Sequence, residues 1–261
     1  GTVGILYNKE KYPHEKFNSW SDLYQSKYKN DILLVDGARE IIGMGLNKLG
    51  YSLNDKNPTH IHQAEKDLHN LAPQVRGIVG DEITMMLQQN EGHVAVVWSG
   101  VAAPLVQENT RYNYVIPKEG SNLWFDNMVI PKTAQNKEGA YKFMNFLLDA
   151  QNSAQNTEWV GYATPNKAAR SKLPKKVRND YRFYPSNQEQ QRLEVYKDLG
   201  QTSLSDYNES FLNFIKPGRI FGAVMSINHD REHLCLVSDI KFYHFRPSTV
   251  VHACNPSTLG G

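Results

Sequence analysis

Four apolar residues, Ile32-Leu33-Leu34-Val35, run straight into Asp36-Gly37, and Ala38, Ile41, Ile42, Leu46 and Leu49 then recur at helical spacing until Gly50. A short apolar run closed by a turn reads as a buried strand, and the recurrence after it as an amphipathic helix. Asp36 is the predicted N-cap and Gly50 the stop. A buried strand that passes directly into a helix is the repeating step of α/β folds with a largely parallel sheet. Other stretches follow the same rhythm: an opening strand over residues 1–7, helices over 59–71 and 81–90, and a strand from His93 to Trp98. Ser19 to Tyr24 reads as a capped helical turn with Trp20 packed beneath it, and later helices are predicted over 136–150, 168–173 and 188–216. The aromatic and methionine stripe of the 136–150 helix is predicted to be core.

This unit places Glu40 in the first turn of a helix that follows a buried strand. Ligands of open α/β sheets gather at that edge. A helix N-terminus repels cations, so a cation seat there needs a nearby carboxylate to reverse the potential. Glu40 fits that role, and equally fits the ordinary one of stabilising its own helix.

The second informative stretch is Lys118 to Lys132, in which Trp124 and Asp126 stand two residues apart between a glycine turn and the apolar run Met128 to Ile130. If the segment is extended, both side chains project to one face. An indole ring and a carboxylate facing one space suit a cation. Trp98 likewise ends an apolar run, Val94 to Val97, and is followed by the small pair Ser99-Gly100. The alternative is that both tryptophans are core residues that happen to precede turns.

The 261 residues carry a net charge of +2 with no basic stripe, which argues against a nucleic-acid surface. No apolar run approaches the length of a transmembrane helix. The first residues lack Met and a signal pattern, from which truncation of a longer precursor is expected. Both cysteines, Cys235 and Cys254, and four of the nine histidines fall in the last 45 residues, so the composition breaks near Lys216. His60, His62 and His69 share no metal-ligand spacing on one helix face and are expected in solvent. Gly43-Met-Gly45 lies inside a helix and lacks the third glycine of a phosphate loop. His229, Glu232 and His233 spell a His-x-x-Glu-His zinc pattern, but one without a third ligand on a folded scaffold.

Five blocks occur together and in order: Asp36-Gly-Ala-Arg-Glu40; Val94 to Gly100; Pro117-Lys-Glu-Gly with Trp124-Phe-Asp126; Asn136-Lys-Glu-Gly-Ala140; and Gly161-Tyr-Ala-Thr-Pro-Asn166. Residues 1–216 thereby resemble the bacterial spermidine/putrescine-binding proteins, the solute receptors of polyamine ABC importers. The resemblance implies an α/β fold of the type II periplasmic-binding-protein kind, two lobes closing on a polyamine. It implies a crossover strand at 1–9, the main part of one lobe at 10–123, a remnant of the other at 124–172, and carboxy-terminal helices at 173–216 returning to the first lobe. The amino-terminal portion of the partial lobe is expected to be missing, which would leave an apolar face uncovered over about 125–171.

Residue by residue, the resemblance makes Trp98 and Trp124 the aromatic walls of the site, and Asp126 and Glu40 the carboxylates that pair with ammonium groups. Gly37 stands where some members carry a further Asp, for which Asp36 is a partial substitute, and Tyr196 stands near a ligand-binding Gln. The implied partners are a polyamine and a membrane permease. No catalytic residue, metal or cofactor is implied, and the intact form is expected to be a periplasmic or otherwise extracytoplasmic monomer. Rival readings are a receptor of the same fold for another solute, such as a metal or an organic anion, and a zinc hydrolase using His229, Glu232 and His233. Residues 250–261 resemble a translated primate Alu repeat, so 217–261 is expected to be an unrelated, disordered tail from a chimeric gene.

Overall fold

A computed structural model describes residues 1–216. The expectations for His229, Glu232, His233, Cys235, Cys254 and the 217–261 tail fall outside the described residues. Five strands, β1 (Val3–Asn8), β2 (Ile32–Val35), β3 (Val75–Val79), β4 (Val94–Trp98) and β5 (Tyr112–Val115), form one sheet in the order β3-β2-β4-β1-β5. Strand β2 runs parallel to β3 and β4, whereas β1 is antiparallel to β4 and β5. The sheet is thus parallel apart from β1, which is threaded backwards through it. The carboxyl ends of β2, β3 and β4 therefore share an edge with the first residues of β1.

Among the described residues ten α-helices follow or flank these strands: α1 (Ala38–Lys48), α2 (Pro58–Leu68), α3 (Ile83–Gln88), α4 (Ser99–Glu108), α5 (Lys137–Leu148), α6 (Ala150–Val160), α7 (Lys167–Lys172), α8 (Lys175–Arg178), α9 (Asn187–Gln190) and α10 (Gly200–Ile215). The period of two along the strands sorts their side chains onto two cores. Ile32, Leu34, Val94 and Val96 join Ile41, Leu46, Ile61, Leu68, Tyr207 and Phe214 of α1, α2 and α10. Leu33, Ala95 and Val97 join Ile83, Leu87, Val101 and Leu105 of α3 and α4 on the opposite face. Both faces are covered, which is why β2 is an unbroken apolar run rather than an alternating one. Trp20 is buried beneath its turn, with Ser19 and Asp22 forming a reciprocal capping box.

Five expectations need correction. Helix α1 starts from Gly37, with no side-chain cap, so Asp36 is not the N-cap; it is an exposed residue at the end of β2. The predicted helix over 188–216 is broken by a strand, β7 (Leu193–Val195), which pairs parallel with β6 (Ser121–Leu123). Its helix-like spacing is overridden because Glu194 and Val195 find partners across the chain, Glu194 accepting from the Leu53 amide at 3.0 Å. Trp124 lies just beyond β6, so the period-two argument for Trp124 and Asp126 lacks its strand.

The stripe of α5 is not core: none of its residues is buried, and Phe143 and Phe146 are 57% and 56% exposed. This agrees with the uncovered apolar face expected from the resemblance. Of the histidines expected in solvent, His60 instead stacks on Tyr51 at 3.9 Å and meets Asp55 at 2.8 Å, and His69 is half-buried against Phe214. Only His62 is exposed. Helix α4, which holds Pro104 in its interior, has no counterpart among the helices expected from the sequence.

Candidate functional site

The shared edge of β2, β4 and β1 gathers the candidate residues, and the backbone of the first three residues of the chain connects them. Val3 stands opposite Trp98 in the β1–β4 register. One step back, Ser99 N–H donates to Thr2 O at 2.8 Å and Ser99 Oγ accepts from Thr2 N at 3.1 Å. One step further, Gly1 and Trp124 exchange backbone hydrogen bonds in both directions, at 2.9 and 3.0 Å. The two tryptophans, 26 residues apart in the sequence, are therefore presented from the same end of one strand.

Trp98 is half-buried and packs against both cores, so its body is structural and only its outer surface faces the edge. Trp124 meets the ring of Tyr162 edge-on, with centroids 5.4 Å apart. Tyr162 itself sits directly over Gly100, where any side chain would occupy its ring. The Trp124 indole N–H is buried without an acceptor among the described residues. Asp126 is exposed, and it lies close enough to the Gly1 amine to affect its titration. Burial drives that amine down to about 5 against the opposing pull of the Asp126 carboxylate.

Glu40 and Tyr196 meet at a second cluster. The Tyr196 hydroxyl accepts from Asn122 Nδ2 at 3.0 Å and also faces the Glu40 carboxylate; burial first, then the Glu40 charge, raise its pKa well above the usual range. The Arg39 guanidinium stacks on the Tyr196 ring at 4.5 Å and points away from the edge to Asn54 and Lys197. Asn122 links this cluster to the tryptophans, because its Oδ1 accepts from the Val3 amide at 2.7 Å. Glu40 and Tyr196 line one small cavity together with Asn122, Val3 and Trp20. Asp36 lies on the same edge but outside that cavity.

The arrangement has a definite electrostatic character. Helices α1, α3 and α4 all begin at this edge, and their N-termini would favour anions. Asp36 and Glu40 at α1, and Asp81 and Glu82 before α3, set negative charge against that potential. No group of His, Cys, Asp or Glu with metal-binding geometry occurs among the described residues. An aromatic pair with carboxylates on either side can hold an organic cation: the rings exclude water and contribute about 0.5–2 kcal/mol, while the acids carry the charge recognition. Sequence reasoning missed Asn122 and Tyr162. Tyr162 lies within a block that carried the resemblance, whereas nothing local marks Asn122.

Comparison with known proteins is decided by residues 1–183, which match the model for bacterial extracellular solute-binding proteins. The chain belongs to this family. Among solved structures, a spermidine/putrescine ABC transporter protein from Listeria monocytogenes shares 56% identity with a TM-score of 0.78, covering 82% of this chain and 66% of that one. A spermidine/putrescine substrate-binding protein from Streptococcus pneumoniae shares 45% identity at a TM-score of 0.73, with the same coverages. The spermidine/putrescine-binding periplasmic protein of Salmonella typhimurium is 38% identical over 219 residues, 84% of this chain. The chain spans 62% of the length of that relative. Membership of the solute-binding family accounts for the α/β architecture. Family members of this kind are solute receptors, and no helix among the described residues is long and apolar enough to cross a membrane.

Proposed function

We propose that this chain is part of a polyamine receptor that delivers its ligand to the permease of an ABC importer outside the cytoplasmic membrane. The observation that carries the reading is the convergence of Trp98 and Trp124 on the start of β1, with Glu40 and Asp126 on either side. Trp98, Trp124 and the edge of Tyr162 pack the methylene chain, and Asp126 and Glu40 each pair with an ammonium group. Tyr196 and Asn122 orient Glu40, and Asp36 adds solvated negative charge. The chain acts as a receptor rather than an enzyme and works as a monomer. Residues 10–123 with 173–216 form one lobe, entered through the crossover strand at 1–9, and 124–172 belongs to a second. The third of the relatives' length that the chain does not span supplies the facing wall of the cleft.

Titration of the 261-residue chain with spermidine, putrescine and a panel of organic anions, followed by indole signals in nitrogen-15 NMR, tests the reading. With one wall of the cleft, the expected outcome is weak, saturable binding of amines, in the range of about 1 mM, and none of anions. Asp126→Ala is expected to weaken amine binding about tenfold, more than Trp98→Ala, because a hydrogen-bonded charge contributes about 1.5–3 kcal/mol. Anion binding equal to that of the amines would remove the reading.

A further inference from the structure

The overall charge of +2 conceals one local excess. From Trp159 to Asn179 there is no acidic residue, while Lys167, Arg170, Lys172, Lys175, Lys176 and Arg178 fall within twelve positions; the other 23 basic residues stand against all 27 acids. The structure turns this run into one surface. Ala169 of α7 and Leu173 after it pack inward with Ala154 of α6, which leaves the lysines facing out. The two arginines clasp α7 to α8: Arg170 donates to the Arg178 carbonyl from Nε at 3.2 Å and Nη2 at 2.8 Å, and Arg178 Nη1 donates to the Ser171 carbonyl at 2.6 Å. Lys167, Lys172, Lys175 and Lys176 are exposed, and none forms an ion pair among the described residues. Neighbouring acids are engaged elsewhere: Asp180 with Arg182 at 2.6 Å, and Asp149, on which Lys172 acts through space, with the Gln151 and Asn152 amides at 2.9 and 3.0 Å. Glu158, just before the run, offsets one of these charges at most.

We propose that the α7–α8 face is a peripheral docking surface for an anionic lipid bilayer. Trp159 and Tyr181, at the two ends of the acid-free run, are 84% and 64% exposed. Cationic side chains beside exposed Trp and Tyr suit the headgroup layer of a membrane. Both arginines are committed to carbonyls, so what remains for a partner is the diffuse charge of four lysines rather than the bidentate fork that recognises a single phosphate. A nucleic acid fits less well, because no aromatic is interleaved between Lys167 and Arg178 for bases to stack on. Each lysine near an anionic surface raises partitioning about fivefold, so four acting together supply several hundredfold. One such patch gives reversible attachment rather than an anchor, since stable anchoring takes a second signal. This surface is separate from the tryptophan edge and serves whichever solute that edge holds.

Co-sedimentation of the full chain with vesicles tests this, comparing phosphatidylglycerol mixed into phosphatidylcholine with phosphatidylcholine alone. Binding to the anionic vesicles is expected to be at least about a hundredfold tighter, and to lose that preference in about 1 M salt, where the Debye length falls to about 3 Å. Lys172→Gln, Lys175→Gln and Lys176→Gln together are expected to weaken binding about a hundredfold, and the corresponding Lys→Glu triple to abolish it. All three positions are exposed, so both variants keep the wild-type circular dichroism. Lys9→Glu, Lys11→Glu and Lys16→Glu together make the same change in net charge at exposed positions elsewhere, and are expected to cost less than about fivefold. An equal loss in that control overturns the proposal, because net charge and not this face would then carry the attraction. Equal binding to neutral vesicles overturns it in favour of adsorption through the exposed stripe of α5. Release of the chain by soluble glycerol phosphate at the concentration of the lipid overturns it in favour of a phosphate site. Absence of vesicle binding overturns it as well, including the case in which an oligonucleotide binds through the same lysines.

Discussion

Helices α1 and α5 are of nearly equal length, 11 and 12 residues, and both carry a clear apolar stripe, yet seven residues of α1 are buried and none of α5. Helix α1 lies on the sheet and against α2 and α10, in a core that includes fully buried Ile32, Leu34, Ile41, Tyr207 and Phe214. Helix α5 has α6 as its principal neighbour, and the core of that region consists of Ala154, Ala169 and Leu173. Phe125, Tyr141, Phe143, Phe146, Leu148 and Trp159 all remain exposed around it. A stripe says which way a helix would face; a partner surface decides whether the stripe is buried. Apolar burial contributes about 25 cal/mol per Å², and α5 gains little of it.

Four measurements sharpen or break this contrast. The largest difference is expected in amide exchange. Protection of β2 and β4 should approach the global unfolding free energy, about 5–15 kcal/mol for a domain, while α5 and α6 amides open with a few kcal/mol at most. Equal protection of α5 and β2 would mean that the apolar stripe is covered in solution. Next, Phe214→Ala is expected to cost about 3–5 kcal/mol in denaturant unfolding, and Phe146→Ala less than about 1, since only the first leaves a cavity. Similar costs at both positions would contradict the division of the core.

Tyr207→Phe is expected to cost about 1–2 kcal/mol. The Tyr207 hydroxyl lies 3.0 and 2.9 Å from the carbonyls of Leu53 and Asp55, and its loss leaves those acceptors unpaired where α10 meets the 53–55 turn. The smallest effect is expected on the α5 surface. Glu138→Ala removes an exposed i,i+4 pair with Lys142 and should change stability by under about 0.5 kcal/mol, whereas Phe143→Glu with Phe146→Lys should abolish most binding of a hydrophobic dye without loss of helix signal. Unchanged dye binding in that double variant would show that another surface carries the exposed patch.

Much of the fold was legible because its signals are local. The apolar run at Ile32 to Val35, the recurrence from Ala38 to Leu49 and the glycine stop at Gly50 each reflect backbone and burial requirements within a few residues, and all three appear in the structure. The site was legible in part. Trp98 could be placed at a strand end by its apolar run, and Glu40 in a first turn by its spacing. Strand β7 could not, because its reason to be extended is a pairing with β6 some seventy residues earlier. Asn122 was invisible for the same reason: its contacts to Val3 and Tyr196 span 119 and 74 residues.

By itself, the sequence determined the α/β class, the helix carrying Glu40 and the strand delivering Trp98, since propensity, periodicity and turn chemistry act over one or two turns of chain. Tertiary structure alone decided that β1 enters the sheet reversed and that its first residues bring Trp98 and Trp124 to one edge. It also decided that α5 keeps its apolar stripe in water, because burial depends on what stands opposite, and nothing within a helix specifies that.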